Sequence, residues 1–74
     1  MDRGVLEERL AQADKQIAGG RRQIAEQREA IALLERTGRP VDHAKYLLAG
    51  LQLLQAARRE DRSRLLKELA KNTP

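Results

Sequence analysis

Residues 6–34 read LEERLAQADKQIAGGRRQIAEQREAIALL, and two interleaved rows run through them. Leu10, Ile17, Ile24 and Ile31 stand seven apart, while Leu6, Ala13, Gly20, Gln27 and Leu34 fill the alternating steps. Two helical turns take up close to seven residues, so this 3–4 spacing draws a single seam along a long helix that packs against another helix.

Working outward from that stretch, the seam stops at Thr37-Gly38-Arg39-Pro40, where a glycine follows the last periodic residue and a proline forbids continuation. Asp2 is placed to cap the first turn, with Glu7 and Glu8 near the positive end of the helix dipole. Helix one is expected over about residues 3–36, a turn over 37–41, and helix two over about 42–71. Asp42 as cap or Pro40 as first helical residue would open the second helix. So short a link makes two long helices antiparallel neighbours. The expected fold is all-α: one domain over residues 1–74, an antiparallel, coiled-coil-like two-helix hairpin.

With the turn near Arg39, facing residue numbers should total about 78. That register sets Ile31 against Leu47, Gln27 against Leu51, Ile24 against Leu54 and Gly20 against Arg58. Leu47, Leu51 and Leu54 then make the inner stripe of helix two, and Leu48 and Leu53 point elsewhere. Arg58 and Asp61 fall on the seam further down, so the interior should concentrate at the turn end and the termini should fray. The turn end is also richer in leucine than one hairpin can cover, and a large exposed apolar patch marks an interface. A homodimer forming a four-helix bundle is expected, held by Ile24, Ile31, Leu34, Leu47, Leu48, Leu51 and Leu54.

Composition narrows the function. At 74 residues without cysteine, the chain has neither disulfides nor thiolate metal ligands, and so short a domain gains stability from long helices or self-association. The start MDRGVLEERL holds no apolar run suited to a signal peptide, and the longest uncharged run, 46–57, is too short to span a bilayer. The reading is a soluble, cytoplasmic protein with no membrane association. Net charge is +4, and residues 39–74 supply the whole excess. Arg58, Arg59, Arg62 and Arg64 are the candidate patch for an anionic partner, although Glu60 and Asp61 interrupt them and suit intrahelical pairing. With Tyr46 as the sole aromatic, base stacking has no platform. A dimeric nucleic-acid-binding protein using this basic helix is the second reading, after a protein-interaction role.

Catalytic chemistry lacks its parts. His43 is the only histidine, without the convergent ligands a metal needs. Ser63 and Thr37 have no histidine near them in the hairpin register, and Glu7/Glu8 and Glu60/Asp61 face solvent. No enzymatic activity, metal, cofactor or small-molecule substrate is expected. Gly19-Gly20 is the odd element, since each glycine costs a helix interior about 1 kcal/mol relative to alanine. A break in the helix is one explanation; room on the seam for the Arg58 guanidinium or a partner helix, in a helix that stays continuous, is the other.

The chain resembles a group of short proteobacterial proteins of the rhizobial type, mostly without assigned function. The resemblance rests on Ala13-x-x-x-Ile17-Ala18-x-Gly20-x-Arg22-x-Ile24-Ala25-x-Gln27-Arg28, then Leu34-Glu35-Arg36-x-Gly38, Ala44-x-x-Leu47-Leu48 and Asp61-Arg62-x-Arg64-Leu65. It spans roughly residues 10–69 and implies a helical hairpin in a bacterial intracellular setting, with no activity attached. Relatives tend to carry an aromatic, acids and a histidine across 51–58, where this chain has Leu51, Gln52, Leu53, Leu54 and Arg58. That departure favours an apolar self-association surface. The expected role is a small interaction or structural protein, an adaptor or regulator presenting helices to itself or to a protein partner.

Overall fold

The computed structural model describes residues 2–72. Two helices account for nearly all of them: α1, Arg3–Arg36, and α2, Asp42–Lys71. They lie antiparallel in a rod whose backbone measures 59 × 15 × 12 Å. Gly19 and Gly20 both sit inside α1, which runs through them unbroken.

The turn follows from three residues. Gly38 adopts φ +67, a left-handed conformation that side chains resist. Its N–H donates to the Glu35 carbonyl at 3.2 Å and that of Arg39 to the Leu34 carbonyl at 2.9 Å, the paired bonds of a Schellman stop. The Thr37 hydroxyl adds a further donor to the carbonyls of Leu33 and Leu34, which also accept from the backbone N–H groups of Thr37 and Arg39. The helix starts are plainer than expected. Asp2 holds the cap position of α1, yet its carboxylate makes no cap hydrogen bond. Val41 caps α2, so Asp42 is its first helical residue rather than its cap, and Pro40 lies outside the helix.

Both rows of the α1 seam turn inward: Leu6, Ala13, Ile17, Gly20 and Ile31 are buried, and Leu10, Ile24, Gln27 and Leu34 are half-buried. On α2 the inward positions are Ala44, Leu48, Leu51, Gln55, Arg58, Arg62, Leu65 and Leu69, a 3–4 series continuous over the helix. This corrects the inner stripe expected from Leu47, Leu51 and Leu54. The helix is rotated so that Leu48 and Gln55 take the places assigned to Leu47 and Leu54. The chosen series is less apolar locally but continues through Arg62 and Leu69, where the expected stripe would have turned Asp61 and Glu68 inward, and Arg58 and Arg62 bury their aliphatic stems along it.

That choice relocates the interior as well. Leu6 is the most deeply buried side chain and lies at the open end of the hairpin, beside Leu65. The core is therefore spread along the rod instead of being gathered at the turn.

Candidate functional site

Four polar contacts pin the rotation of α2 against α1. Gln27 Nε2 donates to the Ala44 carbonyl at 2.9 Å, and Arg62 Nε meets Asp14 Oδ1 at 2.6 Å. Between them, Arg58 Nη1 reaches the Gln16 carbonyl at 3.4 Å, and Gln55 Nε2 donates to the Ile17 carbonyl at 2.8 Å. Gln55 is only 3% exposed, and its Oε1 accepts no hydrogen bond from the described residues. It fits because Gly20 faces it: a Cβ at Gly20 would overlap Gln55 Oε1 and stand 2.8 Å from Arg58 Nη1. Gly20 thus provides close approach in a continuous helix, with Gln55 as the principal neighbour and the Arg58 guanidinium beside it. Gly19 has nothing within 4 Å of the corresponding position.

The residues expected to drive self-association divide into two groups. Ile24, Ile31, Leu34, Leu48 and Leu51 are committed to the seam within the hairpin. Leu47 and Leu54 are left open, 45% and 47% exposed, and they join Tyr46 at 76% and Leu53 at 75%. Together with Gly50 and Gln27 they line a groove of about 560 Å³ whose walls are mostly apolar. Leu47, Gly50 and Leu54 repeat the 3–4 spacing, and at 100° per residue their stripe lies roughly a quarter to a third of a turn from the seam. The helix therefore carries two apolar faces, one used and one open. Tyr46 and Gly50 were missed as members of the open face. Continuing the 3–4 count through Arg58, Arg62 and Leu65 would have found them, since that count leaves 46, 47, 50, 53 and 54 on one side.

The four arginines of the basic segment meet different neighbours. Arg58 turns toward Gln16 and the Gly19–Gly20 side, Arg62 pairs with Asp14, and Arg64 pairs with Glu60 at 3.8 Å and Asp61 at 3.2 Å. Arg59 alone of the four has neither an ion pair nor a side-chain hydrogen bond among the described residues. His43 is exposed, and no group of acidic or histidine side chains among the described residues is arranged to hold a metal. The Thr37 hydroxyl is occupied by the helix stop. No helix among the described residues is long and apolar enough to cross a membrane.

Comparison with protein-family models, curated proteins and solved structures finds no match to this chain.

Proposed function

We propose that this hairpin is a non-enzymatic interaction module that self-associates through the open face of α2, two copies forming a four-helix bundle with a structural, adaptor or regulatory role. The supporting observation is the Tyr46, Leu47, Leu53 and Leu54 face, apolar and uncovered, on a rod whose buried apolar side chains are Leu6, Ala13, Ile17 and Ile31. A chain with so small an interior gains from any further burial. Four side chains that are half to three-quarters exposed add about 4–5 kcal/mol per chain when covered, before the cost of association.

The geometry suits a bundle in particular. In a four-helix bundle each helix touches two neighbours on adjoining faces, and α2 carries two apolar stripes separated by roughly that angle. A twofold dimer would use the same patch on both copies, so its leucines meet leucines and no second surface is required. Cytoplasmic placement belongs to the same proposal and accords with a chain free of cysteine.

The experiment is solution mass by sedimentation equilibrium or light scattering over at least a tenfold concentration range. Twice 8.4 kDa is the expected mass at the upper end. A helical monomer throughout would overturn self-association and assign the open face to a different protein.

A further inference from the structure

Arg21, Arg28 and Arg59 share a property visible in the sequence: none has an acidic residue three or four positions away on either side. Arg21 has Ile17, Ala18, Ile24 and Ala25 at those positions, and Arg28 has Ile24, Ala25, Ile31 and Ala32. Arg59 has Gln55, Ala56, Arg62 and Ser63. Intrahelical ion pairing is closed to all three. The fold then brings them together, lining one groove of about 330 Å³ with Ile24, Gln52 and Ala56. Arg21 and Arg59 also line the adjoining groove of about 530 Å³, where the single carboxylate, Asp14, is held by Arg62 at 2.6 Å. Ion pairs do form where an acid is within reach: Arg3 with Glu7, Arg64 with Glu60 and Asp61, Lys71 with Glu68. No ion pair from the described residues reaches Arg21, Arg28 or Arg59, so like charges from two helices share one depression without a counter-charge.

We propose that this groove binds the phosphodiester backbone of nucleic acid without sequence preference, with Arg21, Arg28 and Arg59 each neutralising one phosphate. Guanidinium forks match phosphate oxygens in pairs. Arg21 and Arg28 are seven residues apart, about 10.5 Å along the helix. A repeating chain of phosphates fits three separated guanidiniums better than a lone ion does. The one aromatic residue, Tyr46, lines a different groove, so bases have nothing to stack on and the backbone is what is read. Arg59 lies about half a turn round α2 from Gly50, so a dimer formed on the apolar face leaves this groove open. The proposal stands or falls independently of self-association.

The test is fluorescence anisotropy of a labelled 20-nucleotide oligo(dT) with the full chain, from 50 to 300 mM salt. Binding should weaken steeply, with a log–log slope near −2 for three neutralised phosphates on a single strand. Arg21→Gln, Arg28→Gln and Arg59→Gln should each weaken binding about three- to tenfold and flatten the slope by about 0.7, while helicity by circular dichroism is unchanged. Arg64→Gln and Arg39→Gln remove the same charge elsewhere and should stay within about twofold, because only phosphate contacts enter the salt slope. Equal losses for all five variants would show that net charge alone is responsible and overturn the site. No binding at 50 mM salt would overturn it too, as would retention on vesicles of phosphatidylcholine with 30% phosphatidylserine without retention of oligo(dT).

Discussion

Replacing Leu54 with glutamate separates the two apolar faces of α2, and its effect can be worked from the structure. Leu54 is 47% exposed, so about half of the ~2 kcal/mol a leucine gains on full burial is left for an interface, about 1 kcal/mol per chain. A twofold dimer loses that twice. It must also press two carboxylates against apolar surface, at about 1–3 kcal/mol each. The total of about 4–8 kcal/mol raises the dimer Kd about a thousandfold or more. The fold of each chain should survive, because Leu54 does not face α1. Leu51→Glu is the counterpart: Leu51 is half-buried on the seam, and a carboxylate there should lower helicity and thermal stability together. The assay is sedimentation equilibrium beside far-ultraviolet circular dichroism for wild type and both variants. A Leu54→Glu chain with wild-type mass would refute the interface, and one that loses helicity while Leu51→Glu keeps it would refute the rotation of α2.

Three further substitutions probe the seam and the turn, each read as the midpoint of chemical denaturation. Gly19→Ala meets open space and should stabilise by about 1 kcal/mol through helix propensity alone, whereas Gly20→Ala displaces the buried Gln55 and should destabilise by about 1–2 kcal/mol net. Equal effects at the two positions would mean that Gln55 does not pack against Gly20. Gln55→Leu removes a buried oxygen that accepts nothing and should be neutral or stabilising by about 1 kcal/mol; a loss above about 2 kcal/mol would show that Oε1 is satisfied in solution. Gly38→Ala forces a side chain into φ +67 and should cost about 1 kcal/mol, and no loss would mean that the turn relaxes to another form.

The hairpin, its turn and both rows of the α1 seam were legible because each is a local signal. Period selects the helix, and Gly38 with Pro40 stops it. The face that α2 turns inward was not legible in the same way. Leu47, Leu51 and Leu54 form the more apolar stripe, and counting apolar groups favours them over Leu48, Leu51 and Gln55. What decides lies further down the seam, about 45 Å long: both 3–4 series share Leu51, Arg58 and Leu65, but the one through Leu48 and Gln55 continues with Arg62 and Leu69, where the one through Leu47 and Leu54 continues with Asp61 and Glu68. Arginine stems serve as seam residues, which a hydropathy reading counts as interruptions. The same bias drew attention to the run of arginines along α2, although their neighbours at three and four positions already held the acids that pair with Arg64. Arg21 and Arg28 were overlooked because they are far from that run in sequence. Their lack of acidic neighbours was there to be read.

The polar contacts on the seam explain why the richer stripe can stay outside. Rotating α2 by about 50° would keep Leu51 on the seam and exchange Leu48 and Gln55 for Leu47 and Leu54, a local gain in apolar burial. It would also break the bonds from Gln27 to Ala44, Gln55 to Ile17 and Arg58 to Gln16, and the Arg62–Asp14 pair, from near the turn to well down the rod. Exposed pairs such as Arg62–Asp14 contribute little singly, but a buried amide bonded to a carbonyl is costly to leave unmatched. Gln55 resists rotation most, since Gly20 supplies a recess at one place on α1 only and any other residue there would meet its side chain. A single buried polar residue fixing orientation at some expense of stability is a known use of such groups in coiled coils. Here the consequence is directional: with Gln55 held against Gly20, Leu47 and Leu54 are kept on one flank of α2 and Arg59 on the other. The apolar face and the basic groove are then set by the same amide.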